Sequence, residues 1–229
     1  MARRERISDA VVRRLPAYYR HLRELEQQGV TRMSSQSLGR RMNLTASQIR
    51  QDMNCFGGFG QQGYGYHIPT LRQHIGEILG LNFQHRVVVV GAGNMGRAIA
   101  HYASFRRDGF IIEALFDTDP ALVGQTVSKA PVLDRSALGA YLDQNAVDIL
   151  AVATPLVYAQ ATVNEALAHG VRAFWNFAPV DLRVPRGIIV QNVHLSESLM
   201  TLSYRIHEGT AQDEDLNPDH NRQEPDVDG

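Results

Sequence analysis

One cysteine, Cys55, is all the thiol chemistry in this chain of 229 residues, so no disulfide can close within it. No stretch reaches the roughly 18 apolar residues of a membrane span. The basic start Met1-Ala2-Arg3-Arg4-Glu5-Arg6 is not followed by the apolar core of a secretion signal. These absences predict a cytoplasmic protein with no membrane partner. A net excess of either charge is also missing: 23 Lys/Arg stand against 24 Asp/Glu, for a net charge of −1. That balance conceals an asymmetry. Residues 1–80 carry 12 basic and 6 acidic side chains, residues 81–206 carry 10 of each, and residues 207–229 carry 1 and 8. A basic front end is a candidate polyanion binder, against the plainer reading of a solvated charged surface. The acidic, apolar-poor tail over 207–229 reads as disordered.

The most specific feature lies in the middle of the chain. The β-branched run after Arg86 ends in Gly91-Ala92-Gly93-Asn94-Met95-Gly96 and opens directly into a helical pattern. Strand, Gly-x-Gly-x-x-Gly and helix in that order form the context of a dinucleotide site. Gly91 permits the tight turn, Gly93 lets the backbone approach a pyrophosphate, and Gly96 lets helix and strand pack closely. The free N–H groups of the helix start face the anion. A second strand, Ile111–Phe116, delivers Asp117 at 21 positions after Gly96, close to the spacing of about 20 for a carboxylate on the adenosine ribose. Such a carboxylate repels a 2′-phosphate, so it favours NAD over NADP.

Around this motif the chain divides. In residues 1–80, Val11, Val12, Leu15, Tyr18, Tyr19, Leu22 and Leu25 recur at helical spacing, and Pro16 predicts a helix beginning there and ending near Gln28. Ser34 caps a short helix through Leu38 and Met42 that stops at Asn43. Thr45 with Gln48 has the form of a capping box opening a third helix, with Ile49 and Met53 inward. Two short helices so joined have the shape of a helix-turn-helix. Phe56 to Tyr66 interleaves aromatics with glycines and predicts a hairpin wing, and Pro69 starts a further helix. Residues 80–84 read as a linker.

From Arg86 strands and helices alternate, which predicts a parallel doubly wound sheet. The strands are Arg86–Val90, Ile111–Phe116, Pro131–Leu133, Val147–Ala153, Ala173–Asn176 and Ile188–Val190, and the helices are Met95–Arg107, Arg135–Asp143 and Leu156–His169. The ligand crevice lies beyond the strands' carboxyl ends, where Asp117, Thr154 and Asn176-Phe177 fall. Leu195–Ile206 reads as a last, apolar helix that needs a partner surface. A dehydrogenase built on this fold would need a proton donor near the nicotinamide. His194 is the best placed, and His169, at a helix end, is expected to face solvent. No catalytic set is apparent, so a DNA-reading front joined to an NAD-reading back favours a sensor over an NAD-dependent dehydrogenase with an incidental basic front, or over a CoA-binding or structural domain.

Several motifs in one order carry a resemblance. Ser34-Ser35-Gln36-Ser37-Leu38, the run Gln48 to Gly60, Gly63-Tyr64-Gly65-Tyr66, Gly91 to Ala98, Phe116-Asp117-Thr118-Asp119-Pro120 and Trp175 to Val180 together resemble the Rex family of redox-sensing transcriptional repressors, from about residue 10 to residue 206. The resemblance implies a winged-helix DNA-binding domain (1–80), an NAD(H)-binding Rossmann domain (81–194), and a C-terminal helix (195–206) swapped between the protomers of a homodimer. It implies binding of NADH and NAD⁺, and a palindromic, A·T-rich double-stranded operator released by NADH. Thr45–Cys55 becomes the recognition helix, with Ser47, Arg50 and Gln51 nearest the major groove. The wing at Gly60, Gln61, Gln62 and Gly63 enters a minor groove. The nicotinamide lies near Phe177 and Tyr102.

The chain departs from the family at three places. Gln51 stands where members often carry Lys, and Gln61-Gln62 stand where the wing tip is often basic, so both lose phosphate attraction. His194 stands where the family pairs an acidic residue with the tyrosine at Tyr102, or with the arginine at Arg20 when DNA is bound. Protonated His194 would repel Arg20, which makes the switch sensitive to pH. Cys55, at the end of the recognition helix, is expected as a small buried residue, and Trp175 as core packing near the pocket.

Overall fold

The computed structural model describes residues 7–56, 60–61 and 64–216. It divides into two units, 1–84 and 85–229, with the division at the end of residues 80–84.

In the first unit, helix α1 (Asp9–Gln27) buries Val11, Leu15, Tyr18, Leu22 and Leu25. It begins well before Pro16, which lies in its interior. Proline there removes a helical N–H bond, but Pro16 and Val12 are exposed, so water can satisfy the carbonyl left without a partner. The helix therefore survives on its packed face. Helix α2 (Ser35–Met42) is capped by Ser34, whose side chain accepts from the Ser37 N–H, and ends at Asn43 in the left-handed conformation with φ 55°. Helix α3 (Ala46–Asn54) is capped by Thr45, which accepts from the Gln48 N–H. The tightness of the α2–α3 turn depends on Gly39. A Cβ there would stand 2.5 Å from the Leu44 carbonyl oxygen, closer than any side chain tolerates. Strands β1 (Arg32–Met33), β2 (Gly60–Gln61) and β3 (Gly65–His67) form a small antiparallel sheet in the order β1-β3-β2. Helix α4 (Ile68–Ile78) closes the core with Ile68, Leu71 and Ile75, which pack with Leu38, Ile49 and Met53.

The second unit is a seven-stranded sheet ordered β10-β9-β8-β4-β5-β7-β6. The strands are β4 (His85–Val90), β5 (Phe110–Asp117), β6 (Thr126–Val127), β7 (Ala130–Asp134), β8 (Ile149–Val152), β9 (Ala173–Asn176) and β10 (Ile189–Asn192). All pairings are parallel except that of β6 with β7. Without the β6 edge, which is too short to announce itself in the sequence, the order is that of the Rossmann fold. Consecutive buried valines in β4 follow from a sheet covered on both faces. One face packs on α7 (Leu138–Gln144) and α8 (Leu156–Ala168), the other on α5 (Asn94–His101).

Two helices depart from expectation. The segment expected as one helix over 95–107 is α5 followed by α6 (Ser104–Arg107), because Tyr102 leaves the helix in an extended conformation, φ −71° and ψ 95°. Its ring then packs on Phe105, with centroids 4.6 Å apart. The last helix, α9 (Leu195–Leu216), runs past Ile206 into the stretch expected to be disordered. Once a helix exists, each added residue costs only propagation and not a new nucleus, so a polar but helix-compatible segment continues it. The remainder of the expected tail, 217–229, lies outside the described residues.

Candidate functional site: a helix-turn-helix face and a dinucleotide cleft

On α3, Ser47, Arg50 and Gln51 are all exposed, while Ile49, Asp52 and Met53 point inward. Asn54 shares the exposed face. Its helical spacing from Ser47, Arg50 and Gln51 is legible in the sequence itself. Arg50 donates from Nη1 to the Ser35 hydroxyl at 3.2 Å, which holds the guanidinium across the start of α2. Gln48 does not complete a capping box. Its amide donates to Asp52 Oδ1 at 2.8 Å.

Asp52 anchors the whole arrangement. The carboxylate is fully buried and takes a two-pronged bond from Arg14, 2.7 Å at each prong, and the Tyr18 hydroxyl at 2.8 Å. Burial pushes its pKa up, but the bonds from Arg14, Gln48 and Tyr18 outweigh burial and hold it below the ordinary 3.8. Burial, together with the bond to Asp52, raises the Tyr18 phenol. A carboxylate on an otherwise apolar face is thus the polar bolt between α1 and α3. Arg20 is exposed on α1. Cys55 is exposed, not buried, because the inward positions of α3 are taken by Ile49, Asp52 and Met53. Its Sγ lies 3.4 Å from the Gln51 carbonyl oxygen. Gly60 and Gln61 lie in β2, whereas Gln62 and Gly63 lie outside the described residues.

In the second unit a cleft of about 960 Å³ opens at the carboxyl ends of the strands, bordered by Gly91, Gly93, Met95, Asp117, Thr154 and Phe177. Gly91 has φ +100°, and a Cβ there would stand 2.4 Å from the Ala153 carbonyl oxygen; one at Gly96 would stand 1.8 Å from the Gly91 oxygen. Nothing lies within 4 Å of a Cβ built at Gly93. Two glycines therefore permit the turn, and the third leaves space for an incoming group. Gly93 offers no side-chain cap to α5, so N–H groups at the helix start, beginning at Asn94, are left for an anion. Ala92 donates its N–H to Asp117 Oδ2, and the Asp119 N–H donates to Oδ1 at 3.0 Å, which fixes the carboxylate at the cleft wall. Thr154 Oγ1 is buried without a hydrogen-bond partner among the described residues, an orphan beside the cleft. Phe177 stacks edge-on with Trp175 at 4.5 Å, and Trp175 likewise with Phe105 at 5.4 Å, so Trp175 is core packing near the pocket. Tyr102 is 59% exposed and outside this cleft.

Neither histidine singled out is a free group. His169 is bonded through Nδ1 to Asp143 at 2.7 Å and is 29% exposed, so it staples α7 to the end of α8 while staying partly open to solvent. His194 Nε2 stands 3.8 Å from Asp181 Oδ1, an oxygen that also accepts from Asn192 at 3.2 Å. Asp181 gave no sign in the sequence, because 13 residues separate it from His194. Among the described residues no group of three or more His, Cys, Asp or Glu is arranged to hold a metal ion, and no helix is long and apolar enough to cross a membrane.

Comparison with known proteins adds to this geometry. Residues 6–54 match the family described as "Putative DNA-binding protein N-terminus" and residues 82–180 the "CoA binding domain" family. The chain is 50% identical over 203 residues to the redox-sensing transcriptional repressor Rex of Clostridioides difficile strain 630, covering 89% of this chain and 97% of the relative. It is 46% identical over 207 residues to the Rex of Clostridium botulinum strain Hall, covering 90% and 99%. Both relatives are named as repressors and not as enzymes. Among solved structures it is similar to RSP, a Rex-family repressor, in complex with β-NAD⁺ and operator DNA (TM-score 0.85, 44% identity, 94% and 99% covered). It is also similar to RSP in complex with β-NADH (TM-score 0.84, 42% identity, 91% and 98% covered). With a helix-turn-helix face on one unit, a glycine-cradled cleft on the other, and relatives matched across both, the chain belongs to the Rex family of redox-sensing transcriptional repressors.

Proposed function

We propose that this protein is a cytoplasmic, homodimeric repressor that binds palindromic operator DNA and is released by NADH in preference to NAD⁺. The observation that carries this reading is the union of both recognition surfaces in a single chain, matched across 203 residues by a relative named for redox-sensing repression.

The second unit's residues fit a dinucleotide. The Gly91–Gly96 loop and the start of α5 would hold the pyrophosphate through backbone N–H groups, Asp117 the adenosine ribose hydroxyls, and the orphan hydroxyl of Thr154 a polar group on the nicotinamide side. The bound cofactor supplies a ring that is neutral when reduced and cationic when oxidised. Phe177, packed against Trp175 behind it, makes that end of the cleft aromatic and apolar, where desolvating a cation is costly. The preference for the reduced form follows. Asp117 also argues against CoA despite the CoA-binding family match, because CoA carries a phosphate on the same ribose that a fixed carboxylate would repel.

In the first unit Ser47, Arg50, Gln51 and Asn54 form the face offered to the major groove, and Arg50 is suited to a guanine edge or a phosphate. The wing around Gly60–Gly63 is assigned to the minor groove, and Arg20, Tyr102 and His194 to the switch. A dimer is supported by α9, whose Leu195, Leu199, Met200, Leu202 and Tyr204 are each more than half exposed. An apolar face of that size calls for a second copy. Two recognition helices in a dimer read half-sites about 34–36 Å apart, so a ligand acts by favouring the arrangement that breaks this spacing.

The test is fluorescence polarisation of a labelled A·T-rich palindromic duplex titrated with the protein, alone and with NADH or NAD⁺. Tight binding that NADH relieves at far lower concentration than NAD⁺ is the expected result. Equal release by the two, or none, would overturn the sensor reading.

A further inference from the structure

The strand order lays out the cleft as a line. Passing along the sheet, the carboxyl ends of β9, β8, β4, β5 and β7 present Phe177, Thr154, Gly91, Asp117 and Arg135 in turn. If the glycine loop takes the pyrophosphate and Asp117 the adenosine ribose, the base comes next, at the end of β7. Asp117 pairs in register with Asp134, so Arg135 follows at the neighbouring position. Opposite stands α8, whose Tyr158, Ala161, Thr162 and Glu165 border the same cleft at helical spacing.

Arg135 does not extend freely into that space. Its Nη2 donates to Glu165 Oε2 at 2.6 Å and its Nη1 to Oε1 at 3.2 Å, and Nη2 also lies 3.5 Å from the Thr162 hydroxyl. Thr162 is buried. A planar guanidinium locked side by side with a carboxylate presents donors and acceptors at a fixed spacing on the cleft wall. Adenine has the complementary edge: its 6-amino group donates and the neighbouring N7 accepts. Resting on the dinucleotide reading above, we propose that the Arg135–Glu165 pair selects the adenine base, with Glu165 accepting from the 6-amino group and Arg135 donating to N7. Hypoxanthine carries a carbonyl oxygen in place of that amino group, so its edge offers two acceptors and leaves Glu165 facing an oxygen. A site built to bond a polar group rejects an analogue lacking it far better than an apolar pocket rejects a change of size.

The experiment measures binding of NADH and of reduced nicotinamide hypoxanthine dinucleotide to the full-length protein, by calorimetry and by Trp175 quenching. The wild type is expected to bind the hypoxanthine form about tenfold or more weakly, the scale of one hydrogen bond to a charged group. In Glu165→Gln the amide can turn its NH₂ towards the carbonyl, and the ratio is expected to fall close to unity. Arg135→Lys keeps the charge but loses the fork and should reduce the ratio less; it serves where Glu165→Gln fails to fold by thermal melting. Equal affinities in the wild type, or a ratio unchanged in the variants, would overturn the proposal while leaving the NADH site standing. Failure of both dinucleotides to bind overturns the dinucleotide reading and this proposal with it.

Discussion

On the proposed function, the two units recognise their targets by different physical means. In the first, recognition rests on side chains: Ser47, Arg50, Gln51 and Asn54 project from one helix face, and a buried polar network behind them sets the direction of that face. In the second, recognition rests mostly on backbone: Gly91, Gly93 and Gly96 remove side chains so that N–H groups meet the ligand, and Asp117 is held in place by two such groups. A surface of side chains can change its target by substitution without disturbing the fold. A cradle of glycines cannot, because a Cβ at Gly91 or Gly96 would collide with backbone. The DNA-reading half of such a protein is therefore free to drift, while the cofactor-reading half is sterically confined.

Substitutions can break this contrast at either end, and the largest effect is expected at Asp52. Asp52→Ala leaves Arg14, Tyr18 and Gln48 without their shared acceptor, and loss of one partner of a buried ion pair costs about 3–5 kcal/mol. Denaturant unfolding should show the first unit destabilised, with operator binding lost and NADH binding retained. The same group gives the acid behaviour. Its carboxylate titrates below its ordinary value in the folded state, so its stabilisation is present above about pH 4 and lost as pH falls through the lowered value. An acid titration of Asp52→Asn, followed by the same unfolding signal, should lack that loss.

Arg50→Ala is next. Removal of a base or phosphate contact from both half-sites should weaken operator binding by at least about 2 kcal/mol with no change in NADH affinity. Unchanged affinity for the duplex would show that α3 is not the reading helix. Asp117→Ala should weaken NADH by about tenfold, the loss of a charged acceptor to the ribose hydroxyls, and narrow the preference over NADPH. Identical titration curves would remove Asp117 from the site. The smallest effect sharpens the comparison by addition. Gln51→Lys should steepen the dependence of log affinity on log salt by about 0.9 for each new phosphate contact, and leave the cofactor side untouched.

Much of both sites was legible in the sequence because local rules govern them. Ser34, Asn43 and Thr45 cap or stop their helices through short-range bonds, so the helix-turn-helix could be read residue by residue. The glycine loop is legible for the same reason, since a turn, a close approach and a helix start follow one another within six positions. Local rules misled where packing decided. Pro16 marks a helix start by propensity, yet the apolar stripe on both sides of it carries α1 through. The 95–107 helix breaks at Tyr102, where the ring packs on Phe105 after a change of chain direction. Cys55 fell outward because Ile49, Asp52 and Met53 hold the inward positions.

Amino-acid order alone determined the alternation of strands and helices, the Gly91–Gly96 cradle, the carboxylate at Asp117 and the exposed row on α3, because each depends on neighbours a few residues away. Only the tertiary structure decided which distant groups meet. It brought Asp52 to Arg14, 38 positions apart, Arg135 to Glu165, 30 apart, and Asp181 to His194. Pairs of this kind leave no trace in local spacing. They form because burial of the apolar faces fixes the backbone, and the polar groups brought together by that burial must then satisfy one another.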